Sequence, residues 1–190
     1  LITDGRGYDE ISITVPSTEP DWYSFTLDDG QTATIAATRY AGNGSIQMGL
    51  YDAGGALLQN GAAGNNLSSF VSQFVDSTSN GVPDTYYARV SGLDASYSLL
   101  VTRGADFDTE PNDQVNSQYQ DITGLGGVLG HLGNNDVFGI MAVAGQELNF
   151  LATLPGQGPH WFVNGLDAPG GSNLRLELIN PSGSVVATNA

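Results

Sequence analysis

Apolar residues alternate with polar ones at Ile11, Ile13, Val15; at Tyr23, Phe25, Leu27; at Ala33, Ile35, Ala37; at Ile46, Met48, Leu50; and at Tyr97, Leu99, Val101. A period of two puts one set of side chains on one face, so each run predicts a strand with one buried and one exposed side. Turn signals separate the runs at Asp28-Asp29-Gly30, Gly42-Asn43-Gly44, Asp52-Ala53-Gly54-Gly55 and Ser79-Asn80-Gly81. Helical spacing has little support. With about ten residues per strand and turn, the pattern predicts an antiparallel sandwich rather than a parallel sheet with crossover helices.

An internal repeat organises the chain above this local level. Asp21-Trp22-Tyr23-Ser24-Phe25 with Gly30-Gln31 returns as Asp136-Val137-Phe138-Gly139-Ile140 with Gly145-Gln146, an offset of 115 from Asp21 to Asp136. The apolar positions keep phase: Tyr23, Phe25 and Leu27 match Phe138, Ile140 and Ala142, and Ala33, Ile35 and Ala37 match Leu148, Phe150 and Ala152. Farther on, Leu50 to Gly55 matches Leu178 to Gly183 at an offset of 128, so the later copy carries 128 − 115 = 13 more residues, in the loop around Pro155 to Trp161. The first copy continues for 101 − 60 = 41 residues from Asn60 to Val101, whereas the second stops at Ala190 soon after Thr188, the match to Asn60. A sandwich short of its last strands exposes apolar edges, so the chain is expected to continue in a longer protein or to be completed by a partner strand. Its start at Leu1, with neither methionine nor a signal-peptide pattern, carries the same expectation of a processed protein or a fragment.

Composition removes several classes of function. Twenty acids against five bases give a net charge of −15, which argues against a nucleic-acid partner. The bases are Arg6, Arg39, Arg89, Arg103 and Arg175, so no lysine is present for amine chemistry or isopeptide cross-links. Cysteine is absent as well, which removes thiol catalysis, disulfides and cysteine metal sites. No apolar run approaches the roughly 18 residues of a membrane span.

The most chemically pointed stretch lies between the copies, Asp106-Phe107-Asp108-Thr109-Glu110-Pro111-Asn112-Asp113. Its four carboxylates repel one another, and a hard divalent cation with many oxygen ligands relieves that repulsion, which makes Ca2+ the candidate cofactor. In an extended segment Asp106, Asp108, Glu110 and Asn112 project to one side, and Asp136, closing the loop Gly133-Asn134-Asn135-Asp136, is a further ligand from elsewhere. The plainer alternative is a solvated acidic linker without metal. In the first copy, Asp4-Gly5-Arg6-Gly7-Tyr8-Asp9 does not fit a calcium loop.

Taken in order, Asp21 to Leu27 with Gly30-Gln31, Leu50-Tyr51-Asp52 with Gly55, Thr85 to Val90 and Tyr97 to Val101 resemble the bacterial pre-peptidase C-terminal domain family. That family includes the collagen-binding domains of clostridial collagenases. The second copy adds the family's opening motif, Glu110-Pro111-Asn112-Asp113, ahead of Asp136-Val137-Phe138. The resemblance implies an all-β chain of tandem antiparallel jelly-roll-like β-sandwiches: a first unit over 1–104, an acidic linker over 105–113 and a second, shortened unit over 114–190. It also implies calcium on Glu110, Asn112, Asp113 and Asp136, although Gly133-Asn134-Asn135 stands where relatives are more acidic. Members are non-catalytic appendages of secreted or cell-surface bacterial proteins.

Catalytic constellations are not found. Only His131 and His160 exist, with no Gly-x-Ser-x-Gly elbow, His-x-x-x-His pair or phosphate-cradling loop, and twenty acids offer too many accidental pairs for spacing to assign a glycosidase. Three non-enzymatic readings follow. The first is an accessory or spacer module stabilised by calcium. The second is a module for a carbohydrate or collagen-like polymer, with Trp161 and Phe162 as ligand-binding residues; Trp22 is expected in core or edge packing. In the third, the second copy exchanges a strand with a neighbouring surface-protein domain. Asn43-Gly44-Ser45 and Asn66-Leu67-Ser68 fit the glycosylation sequon, a weak pattern.

Overall fold

The structure, a computed structural model, describes residues 13–15, 19–130, 135–152 and 175–188. The described chain is all-β. Eight strands form the first unit: β1 (Ile13–Val15), β2 (Asp21–Leu27), β3 (Thr32–Gly42), β4 (Ile46–Asp52), β5 (Leu57–Asn60), β6 (Ser69–Val75), β7 (Asp84–Gly92) and β8 (Ala95–Arg103). They build two antiparallel four-stranded sheets, ordered β1-β8-β3-β6 and β2-β7-β4-β5.

The inner faces follow the alternation of the sequence. Phe25, Leu27, Ile35, Met48, Leu50, Val71, Tyr86, Ala88, Val90, Tyr97, Leu99 and Val101 make one buried cluster between the sheets. Removing this area from water is the main force holding the sheets together, at about 25 cal/mol per Å2 of apolar surface. A polar chain crosses between the sheets. The Tyr97 hydroxyl donates to Asp21 Oδ2 at 2.7 Å and lies 2.7 Å from the Tyr23 hydroxyl, which ties the two sheets at one end.

β3 departs from the one-sided expectation. Its inward residues Ala33, Ile35 and Ala37 are buried, and so are Thr34, Ala36 and Thr38 on the other face. The cover comes from the segment between the repeats. There β9 (Asp106–Phe107) pairs in parallel with β11 (Val128–Leu129), and Phe107 joins Ala36, Leu67 and Leu100 in a second buried cluster. The acidic segment is thus packed against the outer face of the first sheet over its first three residues, Asp106, Phe107 and Asp108, all buried.

Beyond it, β10 (Gln120–Asp121) pairs in parallel with β12 (Phe138–Gly139), and β13 (Glu177–Ile179) pairs antiparallel with β14 (Val185–Thr188). The repeat holds in the turns and hairpins, whereas Leu148 and Phe150, the matches to buried Ala33 and Ile35, are 36% and 46% exposed and lie outside any strand. The hairpins β4–β5 and β13–β14 shift register at the matching steps Leu50/Tyr51 and Leu178/Ile179. Their turns place Gly55 and Gly183 at φ +83° and +84°, where a side chain would be strained. The amides of Ala56 and Ser184 then donate to Asp52 Oδ1 and Asn180 Oδ1 at 2.8 and 2.9 Å. Likewise Gln31 and Gln146 each accept, through the side-chain oxygen, from the amide three residues earlier. Many apolar positions of the second copy are outward, among them Met141, Val143, Leu151 and Val186.

Candidate metal centre

The acidic segment is fastened before it reaches its cluster. Asp106 Oδ1 accepts from Thr34 Oγ1, Ser72 Oγ and its neighbour's amide at 3.1, 3.0 and 2.9 Å. Its Oδ2 accepts from Ser72 Oγ, Gln73 Nε2 and Gln120 Nε2 at 2.9, 3.0 and 3.2 Å. Those neutral donors satisfy the buried carboxylate. Asp106 therefore anchors the segment to β3 and β6 rather than sharing a face with Asp108, Glu110 and Asn112 as simple alternation predicts.

Asn66, from the loop before β6, holds the next stretch. Its Nδ2 donates to the Asp108 carbonyl at 2.8 Å, and its Oδ1 accepts from the Glu110 amide at 3.3 Å. The sequon nitrogen of Asn66-Leu67-Ser68 is thereby engaged. Gly130 makes room on the other side, since a Cβ there would come within 2.9 Å of the Asp108 Cβ.

With the backbone so placed, one oxygen from each of Asp108, Glu110 and Asp136 lies within 4.8 Å of the other two. Asp108 is buried, and Glu110 and Asp136 are half-buried. Asn112 stands inside this group with no exposed surface. Its Nδ2 donates to Asp108 Oδ1 at 2.6 Å, its amide donates to Glu110 Oε2 at 3.1 Å, and its carbonyl accepts from the Val137 amide at 2.7 Å. Its side-chain Oδ1 is buried without a hydrogen-bond partner among the described residues. Such an orphan costs about 1–3 kcal/mol unless something fills its lone pairs.

The electrostatics agree with the geometry. Burial pushes the Asp136 carboxyl up to about 7, and the negative charges of Asp108, Glu110 and Asp113 add to that rise. An arrangement of carboxylate oxygens and an amide oxygen, without sulfur, suits a hard divalent cation. No family model and no curated protein matches this chain.

The structure thus brings together Asp108, Glu110, Asn112 and Asp136, with Asp113 near enough to act on Asp136, and leads Asp106 elsewhere. Trp161, Phe162, His131, His160 and the loop residues Gly133 and Asn134 lie outside the described residues. Trp22 is 49% exposed on the outer face of the second sheet, not packed in the core. A second group, Asp29, Asp76 and Asp84, also brings three carboxylate oxygens within 4.8 Å. Its sequence signal is the spacing of oxygen-bearing residues from Asp76 to Asp84, which reads first as a turn.

Proposed function

We propose that this chain is a non-catalytic accessory or spacer module of a secreted or cell-surface bacterial protein, of the pre-peptidase C-terminal type, whose inter-repeat joint is stabilised by calcium. The observation that carries this reading is the convergence of Asp108, Glu110 and Asp136 beside Asn112, whose buried Oδ1 has no hydrogen-bond partner among the described residues. These residues, with Asp113, would hold the ion, and the ion would neutralise carboxylates that now repel. Its role is structural. It fastens the stretch after β9 to the segment that leads from Asp136 into β12, while Asp106 and Asn66 fasten the same stretch to the first sandwich.

Binding to the folded state alone adds about 2.7 kcal/mol at a ligand concentration 100-fold above Kd. For a chain of this size that is a rise in Tm of about 5–10 °C. The wild-type chain is expected to melt higher in millimolar calcium than in chelator, and Glu110→Gln/Asp136→Asn is expected to lose much of that rise. An unchanged wild-type Tm, or an equal rise in the variant, would remove the reading.

One observation favours polymer binding as a second reading. The exposed Trp22 ring sits 4.9 Å from the Tyr51 ring and 6.4 Å from the Tyr87 ring, with the Arg89 guanidinium 5.7 Å over it. Trp22 and Tyr87 border an open recess of about 410 Å3 floored by Ala53, Gly54 and Gly55. Exposed rings of this kind stack on sugars and extended polypeptides. Retention on insoluble polysaccharide or collagen that Trp22→Ala abolishes would establish this reading; no retention on either would end it.

A further inference from the structure

The second acidic group sits at one end of the first sandwich, where the β2–β3 turn meets the β6–β7 connection. Backbone bonds join the two loops: the Gly30 amide donates to the Asp76 carbonyl at 2.9 Å, and the Asp76 amide to the Gln31 carbonyl at 3.0 Å. The Gly81 amide donates to Asp29 Oδ2 at 2.8 Å. These contacts bring an acid from a distant turn up to the two acids that bracket the connection.

The connection reads Asp76-Ser77-Thr78-Ser79-Asn80-Gly81-Val82-Pro83-Asp84. Oxygen-bearing side chains occupy its first, third, fifth and ninth positions and glycine its sixth. Calcium loops take ligands at that spacing, use the backbone carbonyl of the seventh residue, and need glycine at the sixth for a sharp turn. Gly81 has φ +78°, as such a turn requires. The twelfth residue, an acid in the full calcium loop, is Tyr87 here. Asp29 supplies the missing carboxylate from the other loop.

The ligand set is incomplete without a further charge. Asp76 is fully buried. Its Oδ1 accepts from the Thr78 amide and hydroxyl at 2.9 and 2.7 Å. Its Oδ2 is buried with no hydrogen bond of normal geometry among the described residues, and the Tyr86 hydroxyl, a neutral donor, reaches the same carboxylate. The Thr78 hydroxyl contacts Asp84 Oδ2 as well, so one proton faces two carboxylate oxygens. Asp84 is otherwise served by Asn80 Nδ2, 3.1 Å from both of its oxygens. The donors around these three acids are neutral hydroxyl, amide and backbone groups, which do not cancel their charge. A turn cap needs one acid; three with oxygens within 4.8 Å of one another, one of them fully buried, make a set of oxygen ligands that suits a cation.

We propose that Asp29, Asp76 and Asp84, with the Thr78 hydroxyl, form a second divalent-cation site of calcium type, separate from the one at the joint. The loop spacing makes the Asn80 side-chain oxygen and the Val82 carbonyl the remaining ligands. Asn80 Oδ1 accepts from the Val82 amide at 2.9 Å, so coordination turns its carboxamide over. Because Asp76 follows β6 in one sheet and Asp84 opens β7 in the other, the ion would staple the two sheets together at this end.

The test uses the full chain carrying Glu110→Gln/Asp136→Asn, which silences the joint. Calorimetric titration should find one equivalent of calcium still bound, and terbium, as a calcium probe, should emit through the nearby Tyr86. Adding Asp84→Asn, or the exposed Asp29→Asn, should weaken binding tenfold or more and remove the emission. Circular dichroism in chelator reports that each variant is folded, and Asp29→Asn serves if Asp84→Asn is not. In the otherwise wild-type chain, Asp29→Asn should lower the stoichiometry from two to one. A wild-type chain that binds no more than one equivalent, all of it lost with Glu110 and Asp136, would overturn the proposal. So would folded Asp84→Asn and Asp29→Asn chains that bind as before.

Discussion

One repeat position carries aspartate in both copies and puts it to different use. Asp21 meets the hydroxyl of Tyr97, a donor, and closes a hydrogen-bonded chain across the core. Asp136, at the matching position, meets Asp108 and Glu110, which donate nothing, and its carboxyl is pushed up to about 7 by burial and by their charge. In the metal-free folded chain it therefore keeps a proton that the unfolded chain loses above about pH 4. With more protons bound in the folded state, this group's contribution to stability falls as pH rises from about 4 to about 7. A cation has to displace that proton, so calcium affinity at the joint should rise across the same interval. Calorimetric titration of the Asp29→Asn chain, which isolates the joint, should show binding about tenfold or more tighter at about pH 7.5 than at about pH 5. Equal affinity at both would contradict the proton linkage.

At the level of elements, the strands with one wet face were legible because alternation is a local signal. Phe25 and Leu27 of β2, Ile46, Met48 and Leu50 of β4, and Tyr97, Leu99 and Val101 of β8 are buried as it marks, although Ser98 and Leu100 bury the other face of β8 as well. The second burial of β3 was not, because Thr34, Ala36 and Thr38 are small and ambivalent and their cover arrives from Phe107, about seventy residues on. The same distance hid the role of Asp106, whose partners Thr34, Ser72 and Gln73 become neighbours only when β9 docks. The convergence of Asp108, Glu110, Asn112 and Asp136 was visible in outline from the density of acids and the repeat. The second acidic group was not, since Asp29 joins it through a loop contact no spacing reveals. Of the core or edge packing expected of Trp22, the edge alternative applies: it lies on the edge strand β2 against Tyr51 and Tyr87, half exposed. Docking of β9 makes a specific demand. Asp106→Ala would strand the hydroxyl and amide groups that now converge on it, and should cost at least about 2 kcal/mol in urea unfolding. A loss under about 0.5 kcal/mol, the usual scale of a surface change, would show that the anchor is idle.

For the whole molecule, the chain is a closed sandwich followed by a second copy whose described strands are short, with an acidic joint packed onto the first sheet. The net charge of −15 gives that joint a strong field for cations. The central claim is that calcium locks residues 106–113 against the segment that leads from Asp136 into β12. Amide hydrogen exchange along the chain, in millimolar calcium and in chelator, tests it most directly. Exchange at residues 106–113 and 136–139 should slow by about tenfold or more with calcium, and Glu110→Gln/Asp136→Asn should erase the difference. Exchange at those residues that is the same with and without calcium would contradict the account.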